Sequence, residues 1–542
     1  MTVTAPPIAS LPNRIAAMAR RYPKGIAFVL GLISATGFAP LHFWPLSLLA
    51  LAGWMALALQ APNMRRTLAI GWCFGVGHFL FGLNWIATAF TYQAAMPEWL
   101  GWIAVLLLAL YLAIYPAMSA LGGWLLARKT GPHHSRALSL SALLGFAGCW
   151  TLAEWLRSWL FTGFAWNPLS ALTLPYAAAP SRWIGTYGTS ALVILAAGLI
   201  LMLAARRYRD SAIGAALLAL FTGAALTDQM LDAADSAVEN KGGANTPLVT
   251  LVQPNIGQAE KWEGAHAAAN FAKLAQLTKP LPTTDAPRLI LWPEAAIPDY
   301  LERGYPSYYY DLPADTARQR LTALMNQVDV MLLGALKLEF DQAGNAIGAR
   351  NSVMSLFSDG SLGPRYDKSH LVPYGEYLPM RPLLSALGLS RLAPGDLDFW
   401  PGPAARTLDL AGFGTVGLQI CYEIIFSGQV TDPALRPAFI FNPSNDAWFG
   451  HWGPPQHLAQ ARLRAIEEGL PVLRSTPTGI SAIIDASGHI QQSIPMHQAG
   501  RIDAHIPAAF SPTLFSRFGN ILPIMFGLCL IAAAIAFRRR HG

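Results

Sequence analysis

Charge is scarce in this sequence. Asp, Glu, Lys and Arg make up 13% of its 542 residues, about half the share usual in soluble domains. That deficit excludes a purely soluble enzyme, and the length argues against a single domain. Cysteine is scarce as well. Of Cys73, Cys149, Cys421 and Cys529, only Cys421 lies outside a long apolar stretch. One cysteine excludes a disulfide framework in the charged region, so in an oxidising compartment it is either an inert buried thiol or a thiol with work to do. Acidic residues are almost missing from two segments. Residues 1–226 and 518–542 carry 17 Lys or Arg against 3 Asp or Glu, a net of +14, whereas residues 227–517 carry 21 against 28, a net of −7. The overall +7 therefore mixes two unlike parts, and no nucleic-acid or acidic-substrate footprint survives the split. Repeats, low-complexity tracts, a phosphate-cradling Gly loop and metal-spaced His/Cys clusters are all missing too.

What is present is apolar length. Runs occur near 24–40, 42–60, 67–90, 99–127, 137–160, 184–205, 211–226 and 519–537, and about 20 apolar residues span a bilayer. The first, second and seventh are marginal. A signal peptide is an alternative for the first, but no clean small-residue cleavage site follows it. Basic residues supply an independent test. They cluster at Arg14, Arg20, Arg21 and Lys24, at Arg65 and Arg66, at Arg128, Lys129 and Arg136, at Arg206, Arg207 and Arg209, and at Arg538, Arg539 and Arg540. The loops near 41 and 91–98 carry none, and 161–183 carries only Arg182. Positive-inside logic then predicts eight transmembrane helices with both termini cytoplasmic and the middle region outside. The boundaries read as a seven-helix membrane domain over 1–226, a linker over 227–245, an outer domain over 246–508, an eighth helix over 518–538 and a tail over 539–542. Twelve of the 17 tryptophans lie in the first 226 residues, as interfacial anchors do. Within the membrane part, Glu154 and Arg157 share a helix face and are costly in lipid; they either pair structurally or shape a polar headgroup or substrate site. His78 reads as a packing residue.

Between about 246 and 508 the texture changes. Short runs rich in β-branched residues (247–253, 288–292, 328–335, 352–357, 415–420, 438–442, 479–484) alternate with helical patterns over 266–277, 313–327 and 456–469. Asp359-Gly360 is a hairpin signal. The alternation predicts a layered α/β domain large enough for a sizeable core.

Three polar residues fall at the ends of strand-like runs or between them, where such folds place their chemistry. Glu294 follows Trp292-Pro293, Lys368 follows Tyr366-Asp367, and Cys421 precedes Tyr422-Glu423. Singly they read as a capping Glu, a solvated Lys and a buried Cys. Together they are a carboxylate base, a cation and a thiol nucleophile, which suffices for acyl chemistry. Only the thiolate attacks well, a partly desolvated carboxylate takes its proton, and an ammonium with a backbone N–H, that of Tyr422, stabilises the oxyanion. A covalent thioester divides one hard transfer into two easier ones. Composition does not separate acyl transfer from amide hydrolysis.

The middle region resembles a nitrilase (carbon–nitrogen hydrolase) domain, and the whole chain is similar to bacterial apolipoprotein N-acyltransferases. The resemblance rests on Tyr366-Asp367-Lys368-Ser369-His370-Leu371-Val372-Pro373-Tyr374-Gly375-Glu376-Tyr377, on Leu251-Val252-Gln253-Pro254-Asn255-Ile256 with Lys261-Trp262, on Trp292-Pro293-Glu294, on Cys421-Tyr422-Glu423, and on Asn445-Asp446-Ala447-Trp448-Phe449-Gly450. It implies an αββα sandwich, with Glu294 as base, Lys368 as oxyanion-stabilising cation and Cys421 as acyl carrier. It further implies that Glu376 orients Lys368, and that Trp262, Tyr422 and Glu423 lie in loops that admit lipid, Trp262 as a lid. Leu470 and Pro477 depart from the Arg and Asn of the pattern. The implied reaction moves a fatty acyl chain from a phospholipid, phosphatidylethanolamine above all, to the α-amino group of an S-diacylglyceryl cysteine at a lipoprotein amino terminus. It needs no metal or cofactor. A monomer in the bacterial inner membrane with a periplasmic catalytic domain is expected. The rivals are a membrane-tethered amidase and a transporter with a soluble accessory domain; almost no charged residues beyond Glu154 and Arg157 in the spans speak against the second.

Overall fold

The computed structural model describes residues 18–92, 96–127, 129–130, 135–240, 247–261, 263–280, 287–392 and 397–540. Trp262, Arg14 and Arg128 lie outside the described residues.

A helix occupies each apolar run: Pro23–Ala35, Trp44–Gln60, Met64–Gly82 with Ile86–Ala89, Leu100–Leu112 continued by Ile114–Leu126, Leu140–Arg157, Ser181–Ala204, Tyr208–Asn240 and Ile521–Arg540. Among the described residues, four helical stretches are long and apolar enough to cross a membrane, namely Leu100–Leu126, Ser181–Ala204, Tyr208–Val238 and Ile521–Arg539. A fifth forms if Met64–Gly82 and Ile86–Tyr92, bent by 50°, count as one span. Pro23–Ala35 and Trp44–Gln60 are shorter apolar helices, so length and composition alone do not reach eight. Pro23–Ala35 packs closely against Met64–Gly82. A Cβ on Gly31 would stand 2.0 Å from Phe74 O, and one on Gly77 would stand 2.1 Å from Phe28 O. Only glycine lets these two backbones approach so closely.

The stretch read as a linker over 227–245 is helical as far as Asn240. Its sequence, Asp228-Gln229-Met230-Leu231-Asp232-Ala233-Ala234, consists largely of good helix formers with no Gly or Pro to stop it. Arg182 pairs with Asp228 and Asp232, and Gln229 donates to Ser487 O at 3.1 Å. The helix thus runs out of the membrane part and along the catalytic domain.

The domain over 248–505 contains two six-stranded sheets. The first has the order β12-β1-β2-β3-β4-β5, from Gly500–His505, Leu248–Gln253, Arg288–Leu291, Val330–Phe340, Ala346–Phe357 and Leu362–Asp367. The second has the order β11-β10-β9-β8-β7-β6, from Ile490–Ile494, Ser481–Ile484, Val472–Ser475, Phe439–Pro443, Gly414–Leu418 and Thr407–Leu410. Each has a parallel centre (β1-β2-β3 and β7-β8-β9) with antiparallel flanks. Side-chain alternation explains the layering. Val249, Leu251, Leu289, Leu291 and Leu332 share one core with Val416, Leu418, Phe441 and Leu473 of the second sheet. The alternate residues Val252, Ile290, Met331 and Leu333 pack with Leu274, Ala317 and Leu321, which belong to the helices Ala267–Thr278 and Ala314–Thr322. The helix Gly453–Glu468 covers the second sheet with Leu458, Ala461 and Ala465. Its prolines sit in the first turn, and Gly469 ends it at φ 63°, the left-handed cap that glycine favours. Asp359-Gly360 does join β4 to antiparallel β5.

Candidate active site

Glu294 stands three residues beyond parallel strand β2, Cys421 three beyond parallel β7, and Lys368 directly after β5. The carboxyl ends of central parallel strands thus place a carboxylate and a thiol, and an antiparallel flank places an ammonium. The Glu294 turn lies tightly on β3: Gly334 N–H donates to Pro293 O at 3.3 Å, and a Cβ on Gly334 would come within 2.3 Å of Ala295 N. Glycine there is what lets the turn sit so low.

All three side chains are buried, with Lys368 2%, Cys421 5% and Glu294 7% exposed. The Lys368 ammonium donates to Glu376 Oε1 at 3.0 Å and lies 3.6 Å from Glu294 Oε1. Asn351 Nδ2 bridges the two carboxylates, donating to Glu294 at 2.7 Å and to Glu376 at 3.1 Å. Glu376 Oε2 in turn accepts from Val372 N–H at 2.8 Å. Glu294 Oε1 is thereby engaged, while its buried Oε2 has no hydrogen-bond partner among the described residues. That oxygen is the one left to take a proton.

Electrostatics fit the division of roles. Burial raises the Cys421 thiol well above its ordinary range and nearby Glu294 adds to this, against a lowering by Lys368. The thiol is therefore protonated at neutral pH and needs a base as it attacks. Burial alone would lower Lys368, but Glu376, Glu294 and Cys421 outweigh it and hold the ammonium above its usual value. The cation is permanent.

Cys421 opens a short helical turn, Cys421–Ile425, with φ 52°. A left-handed non-glycine residue costs about 1–3 kcal/mol and persists only where its surroundings fix it. Glu423 is part of that fixing. Its Oε1 accepts from Tyr366 OH, Ser369 N–H, Ser369 Oγ and His370 N–H at 2.7–3.0 Å, and its Oε2 accepts from Ile420 N–H at 2.7 Å. Glu423 is thus a buried staple between the Lys368 loop and the Cys421 turn. A carboxylate with five donors accounts for its place. Tyr422 is buried too. Its hydroxyl donates to Gly163 O at 3.3 Å, and its ring packs with those of Phe164, His370 and Phe426. His370 Nε2 donates to Thr162 O at 2.8 Å. Both reach the loop that follows helix Leu140–Arg157.

Glu154 and Arg157 lie away from the triad. Glu154 Oε1 accepts from Leu169 N–H at 3.0 Å and Trp150 Nε1 at 3.3 Å, with Arg157 at 3.7 Å, and Arg157 donates to Trp166 O at 2.8 Å. These contacts brace the 158–170 loop from below. His78 packs among Phe38, Phe74 and Phe79 and pairs with Ser34 Oγ at 2.7 Å, in keeping with a packing residue. Leu470 is buried in the domain core. Pro477 lines a cavity of about 260 Å³ with Lys261, Glu294, Asp299, Asp311 and Arg320.

Sequence reasoning assigned no role to Asn351 or Lys261. Asn351 interrupts an apolar strand with a residue disfavoured there, which was its only signal. Lys261, beside Trp262 in a quoted motif, donates from Nζ to Glu294 O at 2.9 Å; burial pulls its pKa down to about 8, against Glu294 and Cys421.

Known proteins match both parts of the chain. Residues 30–199 match the apolipoprotein N-acyltransferase N-terminal domain, and residues 248–510 match the carbon-nitrogen hydrolase family. The apolipoprotein N-acyltransferase of Brucella melitensis is 33% identical over 94% of this chain and 91% of its own length. That of Rhodopseudomonas palustris is 33% identical over 95% of each, and that of Nitrosomonas europaea 33% identical over 94% and 96%. Full-length similarity of this kind, spanning membrane part and catalytic domain alike, places the chain in the apolipoprotein N-acyltransferase family.

Proposed function

We propose that this protein moves a fatty acyl chain from a membrane phospholipid, phosphatidylethanolamine foremost, through a Cys421 thioester to the α-amino group of an S-diacylglyceryl cysteine at a lipoprotein amino terminus, the last step of lipoprotein maturation. The observation that carries the reading is the junction of the nucleophile's turn with the membrane part, where Tyr422 and His370 bond Gly163 O and Thr162 O. Lipid substrates barely enter water, so their chemistry belongs at such a junction.

In the first half-reaction the Cys421 sulfur attacks the ester carbonyl while Glu294 takes the thiol proton. Lys368 and the Tyr422 N–H stabilise the oxyanion. Collapse breaks the ester C–O bond, and the leaving oxygen takes the proton back from Glu294 as lysophospholipid departs. In the second, the amine attacks the thioester, Glu294 accepts an amine proton, and the thiol returns. The low exposure of the three residues keeps water from the thioester. Eight membrane crossings, seven before and one after a periplasmic catalytic domain over 246–508, with cytoplasmic termini, satisfy the basic clusters. One copy holds every residue named, so a monomer suffices.

The test is direct. Incubated with acyl-labelled phosphatidylethanolamine, the purified protein should carry hydroxylamine-labile label that Cys421→Ala lacks. No label on wild type, or equal label on the variant, ends the proposal.

A further inference from the structure

The acyl-transfer scheme uses the sulfur of Cys421 but leaves open what holds its backbone left-handed. Behind the turn, His457 Nε2 lies 3.1 Å from Cys421 O. A carbonyl oxygen only accepts, so Nε2 carries the hydrogen. Burial, then Arg474, keeps the ring below the ordinary histidine pKa, which leaves it neutral and Nδ1 bare. Nδ1 faces Arg474 Nη2 at 3.0 Å, and the same nitrogen donates to both oxygens of Asp446 at 2.6 Å. Asp446 Oδ1 also stands 3.0 Å from Nδ1. Two acceptors facing each other need a donor, and Arg474 is that donor. The tautomer of His457 is therefore dictated by its neighbours. All three side chains are sealed from solvent. The ring packs at a tilt against Trp166, with centroids 5.2 Å apart, and edge-on to Phe449 at 5.5 Å. Trp166 is fixed through its indole N–H to Gln456 at 2.8 Å and through its carbonyl to Arg157 at 2.8 Å.

We propose that His457 is a positioning residue for the nucleophile: by donating to Cys421 O, in a tautomer imposed by Arg474, it keeps Cys421 in the left-handed turn that presents its thiol to Glu294 and Lys368. The inference rests on the acyl-transfer reading only for its lipid assay. Arg474 and Asp446 act through His457 and touch no reacting atom.

The experiment compares full-length wild type, His457→Leu and His457→Gln in detergent micelles. The glutamine amide reaches the place of Nε2 and restores the donor; leucine fills the space without one. Two rates are read: single-turnover acylation by labelled phosphatidylethanolamine, and alkylation of Cys421 by iodoacetamide, which needs no lipid. His457→Leu should slow both by roughly 100-fold, the scale of a nucleophile displaced by about 1 Å, with KM for phospholipid unchanged. His457→Gln should recover to within about tenfold of wild type. If His457→Leu does not fold, His457→Asn replaces it, its shorter amide pairing with Asp446 without reaching Cys421 O. Wild-type rates in the leucine or asparagine variant, or a glutamine variant no faster than these, would overturn the proposal. Alkylation decides even if wild type takes no acyl label, an outcome that would sink the acyl-transfer reading alone.

Discussion

Lys368 bonds Glu376 more closely than it approaches Glu294, 3.0 Å against 3.6 Å. The nearer carboxylate holds the cation, and the farther one stays available as a base. Replacing Glu376 with Gln should let the ammonium swing onto Glu294, pairing with the oxygen atoms that must accept the thiol proton. Thioester formation should fall by about 10- to 100-fold, the usual scale for a lost acid–base or electrostatic contribution. Stopped single-turnover acylation measures it. An unchanged rate would show that Glu376 does not set the cation's position.

Glu423 offers a different kind of test, because its role is to join two loops. In Glu423→Gln one oxygen still meets four donors, but the new NH2 faces the Ile420 N–H, donor against donor. A buried polar group left unsatisfied costs about 1–3 kcal/mol. Thermal unfolding in detergent should therefore drop, and Lys368 and Cys421 should lose register together, so acylation falls too. Full stability with full activity would contradict the staple.

Glu294 and Cys421 are legible in the sequence because each follows a run whose apolar character marks it as a strand, whereas Lys368 falls between such runs and stands out only through its motif. The strands that escape notice are flanks, together with central β9, Val472–Ser475, which is buried throughout but has only two apolar residues before Arg474. β11, Ile490–Ile494, is Ile-Gln-Gln-Ser-Ile and exposed along most of its length, and β12, Gly500–His505, owes its place to antiparallel pairing with β1, some 250 residues away. Neither buries enough to need a periodic pattern, so local sequence says little about them. The same holds for the site's inner partners. Asn351, His457 and Glu423 act through hydrogen bonds between segments far apart in sequence, and no spacing rule reports such contacts. The helical continuation through 227–240 went unseen for the opposite reason, since its composition turns polar just where its backbone does not change.

The buried pair of Glu154 and Arg157 is expected to serve folding more than turnover. Glu154 Oε1 caps Leu169 N–H, and Arg157 holds Trp166 O. Glu154→Gln leaves Arg157 buried without its counter-charge, which costs several kcal/mol in a sealed site. The yield of folded protein should fall more steeply than activity per folded molecule, measured as acylation rate divided by monodisperse protein recovered. Normal yield with abolished turnover would assign the pair to the chemistry instead.

Glu468 gives the stability a pH dependence. It is buried beside Glu467, and burial first, then Glu467, raises its carboxyl to about 7. An unfolded glutamate titrates near 4.5, so between these values the folded state binds the extra proton. Folding stability from this group is therefore fully present below about pH 4.5 and lost as pH rises through 7. The upper bound from the shift is about 3 kcal/mol at 1.36 kcal/mol per pKa unit, with the opposing pull of Arg436 and Arg464 already contained in it. Glu468→Gln stays neutral throughout and keeps an acceptor for Thr431 Oγ1. Its melting temperature should match wild type near pH 5 and exceed it near pH 8, with wild type alone falling between. Parallel melting curves across that range would show that Glu468 does not carry the proton.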